Sequence, residues 1–278
     1  MLENVPLVKP VIRVTSLLTW HECKYKYYLS SQGWRLKPGD GSGLSPQVSG
    51  SAVHFGIEAG LLNTSGRNKL SVAIEAADAY IARLGAGRYS QGVHTAIQGV
   101  PPEIWETHNP QAEQRVSVEY DKFILTGKPD LWTYEPDAIV ITDFKSTSKD
   151  EGSRLEKLQL FNMQVRYYGV LLTAWLISKG HEPPPVYTRH IVLSTRGKHV
   201  YGVPQLMTND LFQKSAAMMM LAADDITYSE RISFLEANVS PACSWCEFQD
   251  ICVGHLTGSD TDDIMRERYR KDETAVIG

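Results

Sequence analysis

The segments Gly127-Lys128-Pro129-Asp130 and Asp143-Phe144-Lys145 decide the fold of this 278-residue chain, with Asp143 thirteen residues after Asp130. Val140-Ile141-Thr142 has the β-branched content of a buried strand, so we predict adjacent strands at 122–132 and 138–144. Two carboxylates at the ends of such strands can share a hard divalent cation such as Mg²⁺. Lys145 lies on the same face of its strand as Asp143, where its ammonium group can orient a water molecule. A surface Asp–Lys pair is the alternative, so other residues must support the site.

Hydrophobic periodicity predicts the elements around these two strands. We expect helices at 15–30, 50–63, 71–84, 157–179 and 208–229, and further strands at 113–120, 186–194 and 199–206. The segment 38–49 is predicted to be a loop, and 85–111 shows only a weak pattern. Helices that flank a short mixed sheet indicate an α/β fold. We predict one domain over 1–258, with its catalytic core at 50–206, and a mobile charged tail at 259–278.

The charge balance limits the classes of protein that fit. The chain has 28 Lys and Arg against 32 Asp and Glu, a net charge of −4. This balance excludes a protein that coats nucleic acid with uniform positive charge, whereas a local basic groove remains compatible with it. The longest apolar run, 169–178, is too short to cross a bilayer, and no export signal opens the sequence. We therefore expect a cytoplasmic protein with no membrane partner.

Four cysteines indicate metal chemistry, one near the N-terminus and three within ten residues of one another: Cys23, Cys243, Cys246 and Cys252. A chain of this size without an export signal seldom uses disulfides for stability. One distant cysteine plus a C-x2-C-x5-C segment suits a [4Fe–4S] cluster, whereas zinc sites more often show two C-x2-C pairs. We favour the [4Fe–4S] cluster and keep zinc as the alternative. Such a cluster would join 16–31 to 240–256, with Trp245 and Phe248 as its shield.

Other polar residues can complete a site near the two strands. His54 follows the small residues Gly50, Ser51 and Ala52 on a predicted helix, and a neutral imidazole there can bind a metal. Gln164 and Tyr168 are four residues apart on the long helix and so share one face. Glu119, at a strand end, can add a carboxylate. Each of these residues also fits an ordinary role in the core or on the solvated surface.

The motifs, taken in order, resemble the RecB-like branch of the PD-(D/E)XK nuclease superfamily over 16–252. They are Gly-x-x-x-His at 50–54, Gly-x-x-Asp at 127–130, Asp-x-Lys at 143–145 and Gln-x-x-x-Tyr at 164–168. The resemblance implies a set of ligands for Mg²⁺ or Mn²⁺: His54, Asp130, Asp143 and the main-chain carbonyl of Phe144. It also implies that Lys145 positions the attacking water and that Gln164 and Tyr168 organise the site.

Within this superfamily, the cysteine arrangement resembles the iron–sulfur nucleases, which include the CRISPR-associated RecB-type exonucleases, their phage relatives and the AddB-type helicase-nucleases. The resemblance implies a metal-dependent DNA exonuclease that prefers single-stranded ends, works 5′→3′ and serves recombination, repair or phage DNA processing. The alternatives are a CRISPR adaptation nuclease that trims captured DNA and a non-catalytic DNA-binding protein on a nuclease fold. Self-association and recombination or CRISPR partner proteins are further expectations.

Two basic segments are candidate DNA contacts. The predicted hairpin at 186–203 carries Arg189, Arg196 and Lys198, together with two histidines and no acidic residue. The first helix adds Lys24 and Lys26 among tyrosines. Positive and aromatic surfaces of this kind can bind a single strand through phosphate contacts and base stacking. The alternative is a solvated hairpin and a helix whose tyrosines belong to the core.

Overall fold

The computed structural model describes residues 9–37, 46–84, 90–148, 162–229 and 232–272. Within them lie the helices α1 Val14–Glu22, α2 Lys24–Ser31, α3 Pro46–Leu61, α4 Lys69–Arg83, α5 Gln91–Gln98, α6 Pro102–Trp105, α7 Met163–Ser178, α8 Asn209–Tyr228, α9 Gln249–Thr257 and α10 Thr261–Arg268. The strands are β1 Val11–Arg13, β2 Trp34–Leu36, β3 Gln111–Ala112, β4 Val116–Glu119, β5 Ile124–Gly127, β6 Leu131–Glu135, β7 Ala138–Thr147, β8 Val186–Ser194, β9 Val200–Tyr201, β10 Gln205–Leu206 and β11 Tyr269–Lys271. The predicted α/β class is confirmed.

The chain divides into two compact units, where the sequence had predicted one domain over 1–258. The sheet unit comprises Ser42–Val116 and Lys128–Ser215. The cysteine unit comprises Met1–Gly41, Ser117–Gly127 and Ala216–Gly278. The sheet unit begins and ends outside the predicted core, 50–206, but the segment 117–127 of that core belongs to the cysteine unit. Among the described residues, no helix combines the length and the apolar character needed to cross a membrane.

The sheet unit is built on a mixed sheet with the strand order β10-β8-β7-β6-β3, and β9 also pairs with β8. The central strand β7 is antiparallel to β6 and parallel to β8. Its residues from Ile139 to Phe144 are buried, as expected for a β-branched strand covered on both faces. The register places Leu131 opposite Thr142, so that Asp130, just before β6, lies at the level of Asp143.

Small residues bring α3 and α4 close together on one side of this sheet. A β-carbon on Gly56 would lie 2.6 Å from the carbonyl oxygen of Ala73, and one on Gly60 would lie 2.6 Å from that of Lys69. Because only glycine avoids these clashes, both positions fix the approach of the two helices. The helices pack with α5 and α6 into one hydrophobic cluster that also includes Phe144 of β7.

The cysteine unit has two small sheets. One has the order β1-β5-β4, and the other pairs β2 with β11 in antiparallel fashion. The single helix predicted at 15–30 is two helices, α1 and α2, because Cys23 has an extended backbone. The Sγ of Cys23 accepts a hydrogen bond from the N–H of Lys26 and so caps the start of α2.

Several other sequence predictions differ from the structure. The strand predicted at 122–132 is two strands in different sheets, because Pro129 has no N–H for a continuous ladder. The weakly patterned segment 85–111 contains the short helices α5 and α6. The tail predicted to be mobile forms α10 and β11, and its strand is held by β2. The predicted loop at 38–49 ends earlier, since α3 begins at Pro46, and the first residues of the helix predicted at 157–179 lie outside the described residues.

Candidate metal centre and active site

Asp143 is a buried carboxylate at the centre of the sheet unit. It is 1% exposed, and its oxygen atoms lie 2.8 and 3.0 Å from Nζ of Lys145. Nδ1 of His190, on the neighbouring parallel strand, lies 2.9 Å from Oδ2 of Asp143. Burial alone would raise the pKa of Asp143, but the hydrogen bond from His190 and the charge of Lys145 hold the pKa below its usual value. Asp143 is therefore ionised at neutral pH.

A second group of ligands lies at Asp130. Ligand atoms of His54, Glu113 and Asp130 all lie within 4.8 Å of one another. Nδ1 of His54 is 3.3 Å from Oδ1 of Asp130, and Oδ2 of Asp130 accepts a hydrogen bond of 2.7 Å from the N–H of Phe144. One imidazole and two carboxylates, all half-buried, form a donor set that fits a divalent cation. We call these three residues the acidic cluster.

The electrostatics of the acidic cluster also fit a cation. Burial raises the pKa of Glu113, although an ion pair of 2.9 Å with Lys128 opposes this effect. Burial would lower the pKa of His54, but its hydrogen bond to Asp130 and the nearby carboxylates raise it above the usual value. Both shifts favour the protonated forms of Glu113 and His54, and a bound cation would neutralise the same carboxylates.

Gln164 and Tyr168 join this network from the start of α7, as the four-residue spacing predicts. The Oε1 of Gln164 accepts a hydrogen bond of 2.9 Å from Nζ of Lys145. Its Nε2 lies 3.4 Å from the hydroxyl of Tyr168, whose pKa is raised by burial. The Asn162 side chain caps α7 by accepting a hydrogen bond from the N–H of Gln164. The network therefore holds the Lys145 ammonium between Asp143 and Gln164.

The predicted metal ligands are only partly assembled into one group. His54 and Asp130 meet, whereas the oxygen atoms of Asp143 are engaged by Lys145 and His190. Phe144 contacts Asp130 through its N–H, while its carbonyl had been expected to be a ligand. Glu119, considered as an extra carboxylate, belongs to the cysteine unit and pairs there with Lys9 at 2.7 Å.

Sequence reasoning missed two residues of the site, Glu113 and His190. Glu113 lies outside regular strands with φ of 50°, and its N–H donates to the carbonyl of Asp130. No sequence pattern marks it. His190 was counted with a basic surface, yet it is 5% exposed. A polar residue inside a strand of β-branched neighbours was the available signal.

The candidate DNA contacts fall in different environments. Arg196 and Lys198 are exposed on the turn between β8 and β9. Arg189 is half-buried and donates a hydrogen bond of 2.9 Å to the hydroxyl of Thr142, so its guanidinium group supports the sheet. In the cysteine unit, Lys26 pairs with Glu22, and Lys24 lies 4.8 Å from the centre of the Trp20 ring.

The four cysteines line one apolar cavity of the cysteine unit. Main-chain N–H groups of Lys26 and Asn238 each lie 3.4 Å from Sγ of Cys23. Burial, reinforced by the other cysteines, raises the pKa of Cys252 to about 11. Phe248 lines the cavity as expected, whereas Trp245 is 77% exposed and was wrongly predicted to shield it. No three cysteine sulfur atoms of the described residues lie within 4.8 Å of one another.

An acidic cluster beside an Asp-x-Lys strand in an α/β unit is typical of metal-dependent nucleases. The chain belongs to the PD-(D/E)XK nuclease superfamily, whose sequence profile matches residues 13–253. Proteins of this superfamily use divalent metal ions, and the acidic cluster is a candidate site for one.

Comparison with solved structures shows a similar fold. A crystal structure of a proposed exonuclease from Eubacterium rectale aligns with 13% identity and a TM-score of 0.53, over 88% of this chain and 91% of that chain. The protein SSO0001 aligns with 14% identity and a TM-score of 0.35, over 90% of this chain and 89% of its own. No curated protein matches the chain in sequence.

We expect His190→Ala to lower nuclease activity about ten- to a hundredfold, because Asp143 loses the hydrogen bond that orients it. His190→Asn keeps an N–H donor near the position of Nδ1 and should restore most of the rate. Val192→Ala is the matched control, since Val192 is buried on the same strand face and makes no polar contact with Asp143. Measurement of kcat, Mn²⁺ affinity and Tm for the three variants checks the prediction. Equal losses of rate in the alanine and asparagine variants would contradict it.

Proposed function

We propose that this chain is a Mg²⁺- or Mn²⁺-dependent DNA exonuclease that acts on single-stranded ends, in the 5′→3′ direction. The observation that carries the proposal is the placement of Lys145 between Asp143 and Gln164, beside the acidic cluster. A lysine held by two acceptors has a fixed ammonium group, and a fixed charge can orient a reacting water molecule and phosphate. The polarity and the strand preference rest on the resemblance to RecB-like nucleases.

Each residue of the site has a role in this proposal. The divalent ion would be held by His54, Glu113, Asp130 and Asp143, and when bound it supplies Lewis-acid activation of water and phosphate. Lys145 positions the attacking water. Gln164 holds the lysine from α7, Tyr168 accepts a hydrogen bond from Gln164, and the N–H of Phe144 fixes the Asp130 carboxylate. Intact acidic groups of this kind weigh against a non-catalytic DNA-binding protein.

We propose further that the four cysteines hold a [4Fe–4S] cluster. They line one cavity with apolar walls, and main-chain N–H groups point at the sulfur atoms of Cys23 and Cys243. One distant cysteine plus a C-x2-C-x5-C segment suits a [4Fe–4S] cluster, whereas zinc sites more often show two C-x2-C pairs. The proposal includes a cytoplasmic location, where thiols stay reduced.

The test of the nuclease function compares linear and circular single-stranded DNA of the same sequence. With Mn²⁺, the linear strand should be degraded from its 5′ end while the circle persists, and EDTA should stop the reaction. Higher salt should slow the reaction as phosphate contacts weaken. Blocking the 5′ or the 3′ end then reports the direction.

Two results would contradict the proposal. A circle cut as fast as the linear strand identifies an endonuclease. Binding of DNA without cleavage under Mn²⁺ identifies a non-catalytic DNA-binding protein.

A further inference from the structure

A groove of about 420 Å³ opens along one face of α3 in the sheet unit. Its walls are formed by Gly50, Ser51, His54, Phe55 and Glu58 of α3, with Tyr80 of α4 and Glu113. His54 and Glu113 are two of the three residues of the acidic cluster. The groove therefore continues directly from the candidate metal centre.

A pair of aromatic rings forms part of the groove. Phe55 is 40% exposed, and its ring centre lies 5.3 Å from that of Tyr80, with an angle of 35° between the planes. The guanidinium group of Arg83 lies 5.5 Å from the centre of the Tyr80 ring. The close packing at Gly56 and Gly60 fixes this geometry, because it sets the distance between the two helices that carry the rings. An exposed phenylalanine on a rigid helix offers a flat apolar face that is already in place for a ligand.

We propose that Phe55 and Tyr80 form a stacking site for one unpaired nucleobase of the strand being cut, next to the scissile phosphate. Aromatic side chains bind single strands in this way, since every base has an apolar face. Arg83, exposed beside Tyr80, contacts the backbone phosphate at the outer edge of this site. This inference rests on the nuclease function proposed above and assigns it a base-binding subsite.

The charges around the groove favour a base over a phosphate as its occupant. Glu58 lines the groove away from the acidic cluster's ligands, and its carboxylate repels a phosphate but not an uncharged base. A base in a duplex is stacked on both of its faces and cannot lie on Phe55 without being flipped out, which costs free energy. The preference for single-stranded ends therefore has a local origin in this aromatic pair.

The test combines protein variants with abasic substrates. Wild-type protein, Phe55→Ala and Phe55→Leu are each assayed with a linear single strand and with strands that carry one abasic nucleotide at successive positions from the 5′ end. Fluorescence anisotropy in the cleavage-deficient Lys145→Ala background gives Kd, and kcat and KM come from the parent proteins. Tyr134→Ala is the matched control, because Tyr134 is 54% exposed in the same unit and does not line the groove.

We expect Phe55→Ala and Phe55→Leu to weaken binding about tenfold, whereas Tyr134→Ala leaves it unchanged. One abasic position should weaken binding to wild-type protein by the same factor and should have no further effect on the Phe55 variants. If every abasic position weakens binding to the Phe55 variants as much as it weakens binding to wild-type protein, the stacking site is wrong. The proposed function still stands in that case, provided that the wild-type protein degrades linear DNA. Absence of both DNA binding and cleavage in the wild-type protein would overturn the proposed function itself.

Discussion

Asp143→Asn is expected to reduce cleavage by at least about a thousandfold while the protein remains folded. The substitution keeps the size of the side chain but removes the charge that pairs with Lys145, and it leaves one oxygen to accept the hydrogen bonds that Lys145 and His190 make to the two oxygens of Asp143. Lys145→Ala should have a similar effect on the rate, because Asp143 and Gln164 then hold no ammonium group. DNA affinity should change little in both variants, because we expect most phosphate contacts to be made by basic residues outside the catalytic site.

Rates with saturating Mn²⁺, DNA binding by anisotropy and thermal melting check this prediction together. Asp78→Asn is the matched control: Asp78 is in the same unit, pairs with His94 at 2.7 Å and is absent from the acidic cluster. It should keep the wild-type rate. Wild-type turnover by Asp143→Asn would remove Asp143 from the catalytic site.

The part of the site that could be predicted from sequence depends on local geometry. Period-2 alternation places Lys145 on the face of Asp143, and helical spacing places Gln164 and Tyr168 on one face of α7. Both relations hold within a single element, so no knowledge of the neighbouring elements was needed. The structure shows both, with Lys145 bonded to Asp143 and to Gln164.

The rest of the site depends on contacts between distant segments. His190 reaches Asp143 only because β8 pairs with β7 in one register, and a shift by one residue would present Arg189 in its place. Glu113 reaches the acidic cluster from an irregular segment with a positive φ, which no periodicity describes. The burial of His190 could be inferred from its β-branched neighbours, but its contact with Asp143 and that of Glu113 with Asp130 could not be inferred from either segment alone.

The short elements α5, α6 and β11 were not predicted from the sequence, because they too depend on contacts with distant segments. Helix α5 has eight residues and α6 has four, and isolated helices of this length are not stable in water. Their apolar residues Val93, Ile97 and Ile104 are buried in the cluster of the sheet unit, so packing stabilises them. Strand β11 likewise exists through its pairing with β2, more than two hundred residues earlier in the chain.

The largest effect on stability is expected from loss of the cysteine ligands. Protein purified without oxygen should be brown, with about four irons per chain. Cys23→Ala should abolish iron binding and lower the Tm by about 10 °C, because binding of a structural metal group contributes several kcal/mol to folding. Cys23 lies between α1 and α2, whereas the other three cysteines lie near the C-terminus, so the cluster would tie two distant segments of the cysteine unit together.

The three cysteines that remain in Cys23→Ala give a second reason why its Tm should be lower. Burial raises the pKa of Cys246 and Cys252, so without a bound cluster they stay protonated, and the proposed occupant no longer fills the apolar cavity that they line. Ser244→Ala, in the same turn as Cys243 and Cys246, is the matched control and should keep both the iron and the Tm. Metal analysis, visible absorption and melting of anaerobic preparations measure these effects. Stoichiometric zinc without iron would contradict the cluster, and an unchanged Tm in Cys23→Ala would show that the two segments hold together without it.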